Sequence, residues 1–130
     1  MGGTSSAADE LDWRYPLRQG ITEHERRRAR ALLGPGERLL AAARGQDPHG
    51  PILWIVTQRR LVIVTHDEFE ENVRDLRHQA VVRVDRRPCA TGWQLHVAGD
   101  GRHFTVEGVD GEKAAQLVAV LRARAGLKDD

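Results

Sequence analysis

Cysteine is almost missing from this chain. Cys89 is the single one in 130 residues, so no intramolecular disulfide can form. Beside Pro88 it reads as a small filler and not as a nucleophile. Lysine is scarce too, at 113 and 128 alone, and the basic side is almost all arginine. Neither sign of charge prevails. Lys and Arg number 20 against 19 Asp and Glu, a net charge of +1, so no bulk field draws nucleic acid or membrane. No run approaches the ~20 apolar residues of a transmembrane helix. The start lacks the basic-then-apolar pattern of a secretory signal, and a cytoplasmic location is expected. Met1 to Ser6 matches the myristoylation pattern, but its small residues are those of a loose tail. There is no Gly-x-Ser-x-Gly, phosphate-binding Walker loop, His-Glu-x-x-His or Cys-x-x-Cys. In so short a chain little sequence remains to build a catalytic pocket. No enzyme, catalytic residue, metal site or cofactor is predicted.

What is present divides the chain. Residues 1–10 are small and polar and read as a disordered tail. In 11–17, Leu11, Trp13, Tyr15 and Leu17 alternate with Asp12, Arg14 and Pro16, the pattern of an extended arm that docks on something. Thr22 to Leu33 has helix punctuation. Thr22 and Glu25 form a capping box, arginines follow at 26, 27, 28 and 30, and Gly34-Pro35 ends it with Gly as a left-handed cap. Its thin apolar face (Ile21, Ala29, Leu32, Leu33) predicts a helix lying on the domain surface.

From Glu37 to Gly108 the period changes to two. Strands are predicted over 37–44, 52–57, 60–66, 70–76, 80–86, 93–98 and 102–107, with breakers such as 46–51, Arg87-Pro88, Thr91-Gly92 and 99–101 between them. Strands in series without intervening helices predict antiparallel pairing in a barrel or sandwich. Asp100-Gly101 suits a two-residue type I′ turn, which pairs Val97 with Phe104 and Leu95 with Val106. A Gln58-Arg59 turn places Leu53, Ile55, Val62 and Val64 on one face of its hairpin and Ile52, Trp54, Val56, Leu61 and Ile63 on the other. Both faces are apolar. One can line a barrel, and the other needs a cover: the arm, the 21–33 helix or a second copy of the chain. Residues 110–125 predict a closing helix, N-capped by Asp110 and stopped by Gly126, with Ala114, Leu117, Val118, Leu121 and Ala125 as its apolar stripe.

Strands followed by one amphipathic helix is the layout of pleckstrin-homology folds. The stretch Leu33-Gly34-Pro35-Gly36-Glu37-Arg38-Leu39 and the run from Leu53 through Trp54, Thr57, Gln58, Arg59 and Arg60 to Leu61 resemble the bacterial pleckstrin-homology-like domains of the YokE kind. The resemblance covers roughly residues 32–125. It implies a mainly β fold: a PH-like barrel of about seven antiparallel strands capped by a C-terminal helix, with the N-terminal helix as an extra. The domain then runs over 35–126, after an arm and helix at 11–34 and before a tail at 127–130. The resemblance implies no catalytic activity and no cofactor. Phosphoinositide-binding members of the wider fold carry several Lys and Arg around the first inter-strand loop. Here that loop holds only Arg44 and His49 among Asp47, Pro48 and Pro51, so no phosphoinositide is expected.

Other polar clusters have bland explanations. Arg59 and Arg60 suit an anion contact by chemistry, while an acid pairing with Arg60 would fix the turn. Val82 and Val84 are expected inward, leaving Arg83 and Asp85 outward beside Arg86 and Arg87. Asp67, Glu68, Glu70 and Glu71 lack the glycine spacing of a calcium loop. His96 and His103 fall diagonally across their hairpin, two ligands where zinc needs three or four. Arg26 to Arg30 has no interleaved aromatics and sits beside Glu23 and Glu25, so nucleic acid is not an expected partner. The sequence therefore predicts a non-enzymatic binding or assembly module. Its partner is a protein or a second copy, met through Trp13, Tyr15, Ile52, Trp54, Val56, Leu61 and Ile63. The alternative is peripheral binding of anionic lipid or another anion through Arg59, Arg60, Arg83, Arg86 and Arg87.

Overall fold

The computed structural model describes residues 23–66 and 70–127. The arm with Trp13 and Tyr15, the capping residue Thr22 and the acidic pair Asp67-Glu68 lie outside them. In chain order the elements are α1 (Glu23–Ala31), β1 (Leu39–Asp47), β2 (Gly50–Thr57), β3 (Arg60–His66), β4 (Glu71–Arg77), a 3-10 turn (His78–Ala80), β5 (Val81–Cys89), β6 (Gly92–Gly99), β7 (Arg102–Val109) and α2 (Gly111–Ala125).

All neighbouring strands are antiparallel, in the order β4-β3-β2-β1-β7-β6-β5. The two edge strands, β4 and β5, are consecutive in sequence and joined by the three residues His78–Ala80. Laid flat, such a sheet would separate its edges by roughly 29 Å at ~4.8 Å per spacing. Three residues reach only about 10 Å. The sheet must therefore roll up, which makes it a partly open barrel. The seam between β1 and β7 is thin, with Gln46 and Glu107 as its register pair. There Gly45 is required: a Cβ would sit 2.4 Å from the Glu107 carbonyl.

The interior holds Ile52, Trp54, Val56, Leu61 and Ile63, sealed by Ala114, Leu117, Val118 and Leu121 of α2. Asp110 caps that helix by accepting from the backbone N–H of Glu112 and Lys113, and Gly126 ends it at φ 74°. The opposite face of the same strands packs Leu39, Ala42, Leu53, Ile55, Val62 and Val64 against Ala29, Leu32 and Leu33 of α1 and the turn after it. Of the three covers that the sequence allows, this face is thus met by the helix of its own chain. Ile52, Trp54, Val56, Leu61 and Ile63, anticipated as a contact surface, are corrected to core: each is at most 4% exposed. The reason is the roll of the sheet, which turns this face inward to share one core with Val84, Leu95, Val97, Phe104 and Val106 of β5–β7 and the stripe of α2.

The type I′ hairpin forms as predicted, with positive φ at Asp100 (54°) and Gly101 (73°) and Val97 opposite Phe104. Three local details differ from expectation. Val82 points outward, 69% exposed, because the register shifts between Val81 and Arg83 and inserts one residue. Arg87-Pro88 does not break β5, because β5 is an edge strand and Pro88 can leave its missing N–H on the open side. Gly34 is not the left-handed residue; Gly36 is, at φ 74°, because the Gly34 N–H is held by Glu37 Oε1 at 2.8 Å.

Candidate functional site: a basic cleft at the barrel end

Turns of a meander alternate between its two ends. The β2–β3 turn and the 3-10 turn therefore share the end remote from the β1–β2 turn, and the last turn of α2 reaches the same end. Between them lies a cleft of about 730 Å³, lined by Gly34, Glu37, Gln58, Arg59, Arg60, Asp75, Arg77, His78, Gln79 and Arg124. That volume lies in the range of small-molecule sites.

Its floor is an ion-pair clamp. Thr57 ends β2, and its Oγ1 accepts from the N–H groups of Arg59 (3.0 Å) and Arg60 (3.1 Å), which shapes the turn. The same hydroxyl donates to Glu37 Oε2 at 2.7 Å. Arg60 donates to Glu37 through Nε (2.9 Å) and Nη2 (3.0 Å), to Asp75 Oδ2 through Nη1 (3.2 Å) and to the Leu32 carbonyl (3.0 Å). The fork of hydrogen bonds from Arg60 holds the Glu37 carboxyl down at about pKa 2 against its burial, with help from Gly34 and Thr57. Glu37 in turn raises the Arg60 pKa, so that guanidinium is fully ionised. Of the two readings for Arg60, acid pairing describes its contacts.

Arg59, Arg77 and Arg124 are different. All three are exposed, line the cleft and have no acidic partner among the described residues. Arg77 comes to the site because β4 pairs it with Arg60 across the hairpin. His78 sits behind them, only 4% exposed. Its backbone N–H donates to the Arg59 carbonyl at 3.3 Å, and its Nε2 lies 2.7 Å from the Thr57 carbonyl. A carbonyl only accepts, so Nε2 carries the hydrogen and Nδ1 keeps a lone pair. Nδ1 is buried and has no hydrogen-bond partner among the described residues. Burial lowers the His78 pKa despite the Thr57 bond, and the nearby Arg124 charge lowers it further.

The other predicted arginines do not join this site. Arg83 pairs with Asp85, Arg86 lies 4.9 Å over the Trp93 ring, and both line with Arg87 a separate shallow cleft on β5 and β6. His96 Nε2 and His103 Nδ1 meet at 3.3 Å, yet no group of three metal-ligating side chains forms among the described residues. At the other barrel end Asp47 Oδ1 accepts from the N–H groups of His49 (2.7 Å) and Gly50 (3.1 Å), closing a tight turn. Sequence reasoning missed Arg77, His78 and Arg124. The register of the β3–β4 hairpin is the one signal that could have placed Arg77 beside Arg60.

Solved structures share this architecture. One is a DUF1696 family protein with a pleckstrin-homology domain from Shewanella loihica, at TM-score 0.56 and 14% identity, covering 78% of this chain and 98% of that one. The chain has a pleckstrin-homology-like fold. The hSac2 domain of human phosphoinositide phosphatase Sac2 is similar as well, at TM-score 0.57 and 16% identity over 96% of this chain and 88% of that one. At such identities the likeness reaches the fold alone. No known family model and no curated protein matches the sequence. Within this pleckstrin-homology-like fold, the cleft lies at the end opposite the first inter-strand turn, and no described helix is long and apolar enough to cross a membrane.

Proposed function

We propose that the chain is a non-catalytic binding module that takes an anionic group in the cleft of Arg59, Arg77 and Arg124, within the YokE-like group that residues 33–39 and 53–61 resemble. One observation carries the reading: guanidinium groups from three separate elements, none answered by an acid among the described residues, converge on one cleft. Guanidinium forks match oxyanion geometry. The apolar hairpin that favoured a protein contact is used inside the molecule, which moves the weight from the protein reading to the anionic one. Inorganic phosphate titrated at pH 7 and low salt tests it. Each of Arg59→Ala, Arg77→Ala and Arg124→Ala should weaken binding about tenfold, the value of one charge-assisted hydrogen bond. Arg83→Ala and Arg87→Ala should leave it unchanged. Equal binding by the triple cleft variant and the wild type would remove the proposal.

A second reading keeps protein contact, self-association included, and places it on β5. Val82, 69% exposed at the bulge, favours it. Light scattering that finds a monomer for both the wild type and Val82→Asp across a wide concentration range would remove self-association through this face.

A further inference from the structure

The lining of the barrel-end cleft is chemically uniform. It holds no apolar side chain, and its one ring is the buried His78 imidazole. A nucleobase finds no stacking face there, and an acyl chain finds no apolar wall. Positive charge is in excess by two. Arg59, Arg60, Arg77 and Arg124 stand against Glu37 and Asp75, and His78 adds none near neutral pH because burial lowers its pKa. Arg59 is set in place before any ligand arrives. Its N–H is held by Thr57 Oγ1 and its carbonyl by the His78 N–H. Its guanidinium lies over a loop without side chains, where a Cβ on Gly36 would stand 3.5 Å from Nη2 and one on Gly34 3.9 Å from Nη1. Little ordering is lost when such a group takes a ligand. A carboxylate, a sulfate ester or a phosphodiester carries one negative charge. A phosphate monoester carries nearly two at neutral pH, since its second ionisation lies near pH 6, and it is the simple ester that answers the excess.

Size and polarity define the rest of the ligand. A phosphate group has the bulk of two or three waters, under about 100 Å³ at ~30 Å³ each. The cleft measures about 730 Å³. Asp75 stands in its lining with a side chain 48% exposed, and Arg60 holds Oδ2. A carboxylate only accepts, so it repels a bare oxyanion and welcomes a hydroxyl. Gln79 adds an exposed amide from the 3-10 turn. We infer that the cleft takes a soluble phosphate monoester with a hydroxylated body, of the sugar phosphate class, its phosphate on Arg59, Arg77 and Arg124 and its hydroxyls on Asp75 and Gln79. This rests on the cleft being an anion site.

Calorimetric titration of the full chain at about pH 7.5 and low salt, with inorganic phosphate, glycerol 3-phosphate, glucose 6-phosphate and glucose 6-sulfate, tests this. At least one of the two hydroxylated phosphates should bind about tenfold tighter than inorganic phosphate, the value of a hydrogen bond to a charged group. Glucose 6-sulfate, with one charge less, should bind about tenfold weaker than glucose 6-phosphate. Asp75→Ala should bind inorganic phosphate at least as well as wild type and lose the gain from the hydroxyls. Gln79→Ala, an exposed residue outside the ion-pair clamp, should weaken the hydroxylated phosphates a few-fold and leave inorganic phosphate unchanged, and it serves if Asp75→Ala fails to fold. No binding of any phosphate by wild type, or binding untouched in the triple arginine variant, would overturn the anion site and this inference with it. Binding that needs the arginines but gains nothing from hydroxyls, or that ranks glucose 6-sulfate equal to glucose 6-phosphate, keeps the anion site and overturns the sugar phosphate. Vesicles of phosphatidylcholine with phosphatidic acid should not sediment the chain. Sedimentation that is lost in the triple arginine variant would assign the cleft to a lipid phosphate and overturn the soluble ligand.

Discussion

Replacing Glu37 by Gln should cost about 3 kcal/mol of stability at neutral pH and almost nothing at pH 2. The carboxylate side chain is only 1% exposed, and it accepts from Gly34, Thr57 and Arg60. Those donors bring its pKa from 4.5 to about 2 in the folded chain. At 1.36 kcal/mol per unit this depression is worth roughly 3 kcal/mol. The folded pKa is lowered, so the stabilisation is complete above the unfolded value of 4.5 and disappears as pH falls through about 2. By pH 3 about 1 kcal/mol remains. Urea unfolding of wild type and Glu37→Gln, followed by circular dichroism at pH 7, 5 and 3, reads this directly. Other carboxylates titrate in both proteins and cancel in the difference. A difference under about 1 kcal/mol at pH 7, or one that stays constant down to pH 3, would refute the reasoning. Arg60→Ala should behave like Glu37→Gln, and the double variant should lose much less than the sum, because the two residues act through one clamp.

Two further perturbations test the packing. Leu117→Ala removes a fully buried side chain of α2 from the barrel interior and should cost about 2–5 kcal/mol in a denaturant titration. Gly45→Ala puts a methyl group 2.4 Å from both the Glu107 carbonyl and Val106 Cγ2, so the β1–β7 seam must open; a loss of roughly 1–3 kcal/mol or more and faster amide exchange in β7 are expected, and a neutral result would show that the strands do not approach there.

Local features of this chain were legible because their causes are local. The alternation of Leu95, Val97, Phe104 and Val106, together with Asp100-Gly101, leaves one register in which all four share a face. The stripe of α2 and its cap are also written in adjacent residues. The two apolar faces of the 52–66 hairpin are another matter. Period two shows that both are buried, but it does not say which meets α1 and which meets α2. That choice depends on how the whole sheet rolls, and the five-residue face chosen as a contact surface proved to be core. The cleft was hidden for the same reason. Arg59, Arg77 and Arg124 come from a turn, an edge strand and a helix end, and only the rolled sheet assembles them.

The rolled sheet leaves two edges, and both carry arginines on their carbonyls. Arg122 of α2 donates Nε (3.0 Å) and Nη2 (2.7 Å) to the carbonyl of Val84 in β5. Arg102 of β7 donates Nη2 to the carbonyl of Asp75 in β4 at 2.9 Å. An added strand would have to displace a charged donor before it could pair at either point, and charge-assisted bonds are the harder ones to replace. Addition of a strand is therefore a poor route to a partner for this barrel. The shape of the edges and the chemistry of the cleft converge: recognition by side chains at the barrel end, where Arg59, Arg77 and Arg124 have no acidic partner among the described residues, is favoured over recognition by backbone along its sides.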